Sequence, residues 1–413
     1  MERTILHSDM NAFYASVECL YHPEIRDKPV AVCGDEKQRH GIVLAKNQHA
    51  KRFDVATGDV IWQAKNKCPD LVIVPAHYDL YLQFSKAARK IYERYTDQVE
   101  SFGLDECWLD VSGSTRLFGT GPEIAQEIRS IMKRKLGVTV SVGVSWNKIF
   151  AKLGSDYKKP DAVTVITKEN FHDIVWPLPV SDLLYVGSAT TKKLNQIGIH
   201  TIGDLAAMND DVLRRLIGKW GETLWGFANG FDVSPVAHMS ETSAIKSIGN
   251  SMTTYRDAVN DDEVWKVFTA LSDSVAGRLR KNGFRCRTIQ IGIRDSDLFW
   301  FERQAKLEYP SCTSSEIAQA GMNLFRQNYN FYRPIRSIGI RACNLIEESS
   351  GVQLALFEDI RMRERLEKLE LCVDRIRSRF GPQAIKKALL VGDDITGECD
   401  PLAHEIHPVA YFR

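Results

Sequence analysis

No stretch of this 413-residue chain approaches the roughly 18 consecutive apolar residues that a membrane helix needs. The N-terminal run Met1-Glu2-Arg3-Thr4-Ile5-Leu6-His7 leads into strand-like sequence, so no secretory signal is expected. An excess of either charge is also missing. With 54 Lys and Arg against 53 Asp and Glu, no global field announces a polyanionic partner. Cysteines occur nine times, an odd count, and no two form a C-x-x-C pair. That argues against a disulfide framework and a cysteine zinc site, and for a reducing, cytoplasmic setting. Internal repeats and low-complexity segments are absent as well. What remains, 44% hydrophobic and 26% charged, is the composition of a folded protein with two to four domains.

Patterning supplies the elements. Thr4-Ile5-Leu6-His7 reads as a short strand that delivers Ser8 and Asp9 to its end, and residues 13 to 20 have helical spacing. Residues 29–33 and 41–45 read as strands and 77–95 as a helix. Val99-Glu100-Ser101-Phe102 and Cys107-Trp108-Leu109-Asp110-Val111 flank Gly103-Leu104-Asp105-Glu106 as a hairpin. A helix with Ile124, Ile128 and Ile131 precedes the strand Val138 to Val144. The fold class expected is α+β, one antiparallel-containing sheet backed by helices. Trp176-Pro177-Leu178-Pro179 marks a boundary, and His238 to Ala244 reads as a linker.

The chemistry begins with acids at strand ends. Asp9 closes the first strand, and Asp105-Glu106 occupies a hairpin turn that adjacent strands of one sheet could bring beside it. Three carboxylates a few ångströms apart repel unless protonated or neutralised, and hard divalent cations are the usual partners. Acidic residues at turns are more often merely solvated, so the surrounding sequence decides. Asp9-Met10-Asn11-Ala12-Phe13-Tyr14-Ala15-Ser16-Val17-Glu18, Leu104-Asp105-Glu106-Cys107-Trp108-Leu109-Asp110-Val111 and Ser141-Val142-Gly143-Val144-Ser145, followed by Asn147-Lys148 and Phe150-Ala151-Lys152, occur in that order. Together they closely resemble the Y-family translesion DNA polymerases, nearest the bacterial polymerase IV branch.

The resemblance implies a right-hand architecture. The ferredoxin-like palm would be 1–20 with 76–165, the small fingers 21–75, and the helical thumb with its helix-hairpin-helix 166–237. A linker over 238–245, an α/β little finger over 246–346 and a tail over 347–413 with a clamp-binding motif would follow. It implies a template-directed polymerase of low fidelity, acting as a monomer on primer–template DNA, damaged template included, with dNTPs as substrates. Asp9, Asp105 and Glu106, with the Met10 carbonyl, would bind two Mg2+ ions for nucleotidyl transfer to a primer 3′-OH. Asn11, Ala12, Phe13 and Tyr14 would line the nucleotide, with Tyr14 as steric gate against a 2′-hydroxyl, and Lys51 and Lys159 would reach the triphosphate. A catalytically silent accessory relative would keep the fold but lose the acids, and a nucleotidyl cyclase would need neither thumb nor little finger.

Departures from the family pattern gather at 44–52. Ala45 cannot donate a hydrogen bond, Gln48 is no phenol, and Lys51 replaces an arginine fork with a point charge. Gly103 replaces a frequent serine. For DNA, Gly187, Ser188, Thr190 and Lys192 fall in a segment resembling a helix-hairpin-helix, whose glycine would let a backbone turn meet a phosphate. A weaker second copy starts at Ile217-Gly218-Lys219-Trp220. The cationic stretch Arg278, Arg280, Lys281, Arg285, Arg287, Arg294 belongs to the little finger, where strands would set Arg287, Arg294 and Arg303 against template phosphates. Trp220 and Trp225 are expected in the core, and the leucines and isoleucines of 360–376 on one apolar helix face. His404 and His407 lack metal-motif spacing. Gln353-Leu354-Ala355-Leu356-Phe357 resembles the peptide that bacterial polymerases dock into a sliding clamp, with Gln353, Leu354, Leu356 and Phe357 as its contacts.

Overall fold

Three separate sheets organise the chain. The computed structural model describes residues 3–35, 41–241, 244–348 and 360–397. These fall into two compact units, one built on residues 3–34 and 42–241 and the other on 244–397. Among the described residues, no helix is long and apolar enough to cross a membrane.

The first unit is built on β1 (Ile5–Met10), fully buried and hydrogen-bonded on both sides. β2 (Val30–Cys33), β3 (Val43–Lys46) and β4 (Val72–Pro75) form a small three-stranded sheet in the order β3-β2-β4. β5 (Val99–Ser101), β6 (Glu106–Asp110), β7 (Val140–Ser145) and β8 (Val163–Val165) join β1 in a five-stranded sheet, β5-β6-β1-β7-β8. The expected hairpin is β5–β6, closed by the Phe102 amide donating to the Glu106 carbonyl at 3.0 Å. β4 and β8 went unread in the sequence: one is a four-residue run ending in Pro75, the other spans three residues.

Strand alternation divides the faces of the larger sheet. Leu6 and Ser8 point toward α3 (Tyr78–Tyr92) and α4 (Gly121–Leu136), reached after α1 (Phe13–Tyr21) and α2 (Ile61–Lys67). Ser8 Oγ lies 3.0 Å from the Tyr92 hydroxyl. α4 buries Ile124, Ile128 and Met132, begins in a Thr120–Glu123 capping box and ends at Gly137 with φ 70°. Ile5, His7 and Asp9 point the other way, toward α5 (Lys148–Tyr157). A helical region follows, with α6 (Ser188–Asn195) and α7 (Lys219–Ala228) around a core that includes Leu194, Leu205 and Leu224.

The second unit carries β9 (Ser247–Ala258), β10 (Phe284–Asp295), β11 (Trp300–Ser311) and β12 (Ile335–Glu347) in the order β11-β10-β12-β9. α8 (Asp261–Lys281) and α9 (Ser314–Asn328) cover one face, sealing Ile289, Ile291, Ile293, Ile338 and Ile340. Each such side chain contributes about 1.5–3 kcal/mol by leaving water. α10 (Ile360–Phe380) lies against the same unit, and Ile395 beyond it is fully buried in that core.

Candidate active site

Antiparallel pairing assembles the acids. Asp9 stands directly opposite Glu106 and, on the other side, opposite Ser141. The Met10 amide donates to the Asp105 carbonyl at 3.0 Å, so the turn is stitched to the end of β1. Asp9 is only 6% exposed. Burial, with Asp9 and Glu106 nearby, pushes the Asp105 carboxyl up to about 7. Burial would raise Glu106 too, but contact with His7 and Lys152 outweighs it and holds that carboxyl below its ordinary range.

Two lysines lie among these oxygens. Lys152 Nζ is 2.5 Å from Glu106, 3.2 Å from Asp9 and 3.3 Å from Asp156. Lys159 Nζ sits 2.7 Å from both Asp9 and Asp156. Burial alone would lower the Lys152 ammonium, yet the carboxylates around it raise its pKa. α5 delivers this chemistry because residues 148, 152 and 155 share one helix face. Its close approach depends on Gly143, where a Cβ would lie 1.9 Å from the Ala151 carbonyl oxygen and 2.5 Å from the Ser155 nitrogen. Lys152, Asp156 and His7 are site residues that sequence reasoning left without roles. The available signal was the 148/152/155 spacing.

The fit of this site to a metal rests on its donors. They are all hard oxygens, and burial, with repulsion from Asp9 and Glu106 added to it, raises Asp105. As the side chains stand, no three acidic, histidine or cysteine groups among the described residues converge on one point, since the lysines lie between them. The donor set suits divalent cations, with the ammonium groups balancing the same charge.

The nucleotide-side residues divide. Phe13 is buried, and Ala12 takes a left-handed φ of 47° at the start of α1. Asn11 turns inward: its amide nitrogen donates to Thr139 at 3.2 Å and its oxygen accepts from Ser141 at 2.9 Å. Tyr14 is partly exposed and stacks on Tyr81 at 4.2 Å with an 11° interplanar angle. Lys51 is exposed at the end of a short helical turn and makes no described contact with the carboxylates. Lys46 is close enough that burial, then Lys51, lower its pKa.

In the helical region, Gly187 caps α6 in an extended conformation, with open space where a Cβ would be. The left-handed residue is Tyr185, at φ 72°, so the turn before α6 does not need its glycine for φ. Ser188 and Lys192 are exposed and Thr190 is half-buried. The second hairpin caps α7 at Gly218, φ 72°. Trp220 is not core: it is 54% exposed and meets Tyr185 at 5.6 Å, which puts the two hairpin turns side by side. Trp225 is half-buried against the local core.

Comparison with known proteins gives this arrangement a family. Residues 8–156 match the impB/mucB/samB family, 245–356 match the C-terminal domain of that family, and 181–232 match the thumb domain of DNA polymerase iota. The DNA polymerase IV of Acetivibrio thermocellus is 56% identical over 95% of this chain and 98% of its own length. DNA polymerase IV 1 of Bacillus subtilis is 37% identical over 93% and 92%. A solved Y-family chimera of Dbh and Dpo4 aligns with a TM-score of 0.73 at 25% identity, covering 83% of this chain and 99% of its own. The chain belongs to the Y family of DNA polymerases. The segment matched by the thumb model falls in the helical region, and the segment matched by the family's C-terminal domain falls in the second unit.

The second unit changes the reading of the cationic stretch. Arg294 lies opposite Trp300, on the face of the sheet turned away from α8 and α9. Arg303 lies opposite Ile291, so it shares the helix-covered face at the edge strand, where its guanidinium donates to Asn328 at 3.1 Å. The expected grouping of Arg303 with Arg294 fails because the register puts them on opposite faces. Arg287 is exposed beside a bulge in β10. Arg280 and Arg285 are committed to α10: Arg280 pairs with Glu370 and, at 2.7 Å, with Asp374, and Arg285 pairs with Glu367. Arg278 donates to the Gly249 carbonyl at 2.6 Å. Half of the apparent nucleic-acid stripe is therefore internal wiring. Gln353, Leu354, Leu356 and Phe357 lie outside the described residues, as do His404 and His407.

Proposed function

We propose that this chain copies damaged DNA templates with low fidelity, adding deoxynucleotides to a primer 3′ end. The observation that carries the reading is the pairing of Asp9 with Glu106 beside Asp105, in a chain similar over nearly its whole length to named DNA polymerases IV. Asp9, Asp105, Glu106 and the Met10 carbonyl would hold two Mg2+ ions, which supply charge neutralisation and a more acidic primer hydroxyl. Lys159 would grip the triphosphate, with Lys51 contributing from the fingers. Tyr14, backed flat by Tyr81, presents a wall against a 2′-hydroxyl. Amides opening α6 and α7, with Lys192, would hold duplex phosphates, and Arg287 and Arg294 would add contacts that do not read sequence.

The finer assignments stand as part of the same proposal: a monomer in the cytoplasm, domain limits as the motifs place them, and Gln353–Phe357 docking a sliding clamp. Primer extension on intact and lesion-bearing templates tests the core of it. Asp105→Ala or Glu106→Ala should lower extension about a thousandfold or more, several kcal/mol of transition-state stabilisation, with primer–template affinity nearly unchanged. Activity within tenfold of wild type would defeat the assignment.

A further inference from the structure

Behind Glu106 stands a histidine with no role in the scheme above. His7 is 0% exposed and precedes Asp9 by two residues, so it shares that residue's face of β1. Its Nε2 lies 3.3 Å from Glu106 Oε2, and neither atom has an aligned hydrogen bond. Its Nδ1 lies 2.8 Å from Ser155 Oγ. Trp108, its partner across β6, meets the ring edge-on at 5.1 Å.

We infer that His7 is a positioning residue: an Nε2–H, kept in place by Ser155, fixes the Glu106 carboxylate in its metal-binding orientation. The inference rests on the metal reading of Asp9, Asp105 and Glu106. Proton counting supports it. The Ser155 hydroxyl has one hydrogen and two acceptors within reach, the Lys152 carbonyl at 2.7 Å and His7 Nδ1. If the carbonyl takes it, Nδ1 must carry the ring hydrogen, and a neutral imidazole turns a lone pair toward the carboxylate. If Nδ1 accepts it, the ring presents N–H to Glu106, the attractive arrangement. A ring carrying both hydrogens also presents N–H to Glu106, with Nδ1–H donating to Ser155 Oγ while Ser155 keeps its bond to the Lys152 carbonyl, so the carboxylate favours any state with the hydrogen on Nε2.

Lys152 holds the same oxygen from α5, but through a flexible stem that also serves Asp9 and Asp156. The histidine ring cannot swing, because strand, tryptophan and serine enclose it. The competing reading is that His7 only fills space against Trp108, a task phenylalanine would perform equally well.

Full-length protein bound to primer–template decides the matter, with direct Mn2+ binding followed by electron paramagnetic resonance. His7→Phe keeps ring volume and loses both nitrogens, whereas His7→Gln keeps a donor near Nε2. His7→Phe should weaken Mn2+ binding by about 10- to 100-fold, the usual effect of removing a partner behind a metal ligand. The Mg2+ concentration for half-maximal extension should rise in parallel, primer–template affinity should hold, and His7→Gln should recover much of the loss. Glu106→Gln serves as the reference. If it leaves Mn2+ binding intact, the metal reading itself fails. If it weakens binding while His7→Phe matches wild type, His7 is packing and only this inference falls. Should His7→Phe not fold, His7→Gln and Ser155→Ala carry the test: Ser155→Ala should lose affinity in the same direction, and unchanged Mn2+ affinity in both overturns the inference.

Discussion

Asp105 and Tyr14 show how the palm sets the properties of single residues. The Asp105 carboxyl, pushed up to about 7, keeps a proton in the folded state that an unfolded aspartate, at about 3.9, has released. Between those values the native state binds more protons than the unfolded state, so stability falls as pH rises from about 4 to 7 and levels off above. Metal-free protein should accordingly lose melting temperature across that window. Asp105→Asn should flatten the loss, and Mg2+ should raise the melting temperature more at pH 8 than at pH 5.5, which calorimetry can follow. At Tyr14, substitution by alanine removes a wall rather than a bond. Tyr14→Ala should lower the ratio of deoxy- to ribonucleotide incorporation efficiency by at least about tenfold, equivalent to ~1.4 kcal/mol, with a smaller change for dNTPs. Single-nucleotide insertion kinetics measure it; an unchanged ratio would make Tyr14 a packing residue of the Tyr81 stack.

Among the elements, α10 departs furthest from its sequence pattern. Its leucines suggested an apolar face, yet it docks through Glu367, Glu370 and Asp374 on Arg285 and Arg280, and through Arg377 on Asp273 at 3.2 Å. Leu369 and Phe380 remain exposed. A charged helix face looks the same in sequence whether it meets water or buried arginines, so this docking was invisible. Arg280 is 6% exposed on its side chain, and stranding it should be costly. Glu370→Gln combined with Asp374→Asn, which keeps α10 but removes both charges facing Arg280, should destabilise the second unit by about 3–5 kcal/mol in denaturant unfolding. Arg280→Met in that background should restore part of it; unchanged stability in the double variant would make the docking charges ornamental. The first unit was far more readable, because β1, β6 and β7 are short, largely buried runs and Asp9 and Glu106 sit at strand ends. Lys152, Ser155 and Asp156 were not, since their convergence on those acids depends on one glycine, Gly143, that lets α5 descend onto the sheet. Arg303 was misplaced because the face a residue occupies follows from register, which a sequence with a bulged strand does not announce.

For the whole molecule, the expected clamp peptide is followed by α10, so it lies within the chain rather than at its end. Leu356→Ala combined with Phe357→Ala should abolish clamp-stimulated extension and leave clamp-free extension near normal. A joint loss of melting temperature and basal activity would instead make those side chains part of the fold. The palm register carries a different consequence for the molecule. Because Asp9 faces Glu106 in a sheet of two-residue period, a slip of one position between β1 and β6 would not loosen the site. It would turn the acids of one strand to the opposite face from those of the other. A molecule with that slip is silenced outright and is not left as a looser, more error-prone copy of itself.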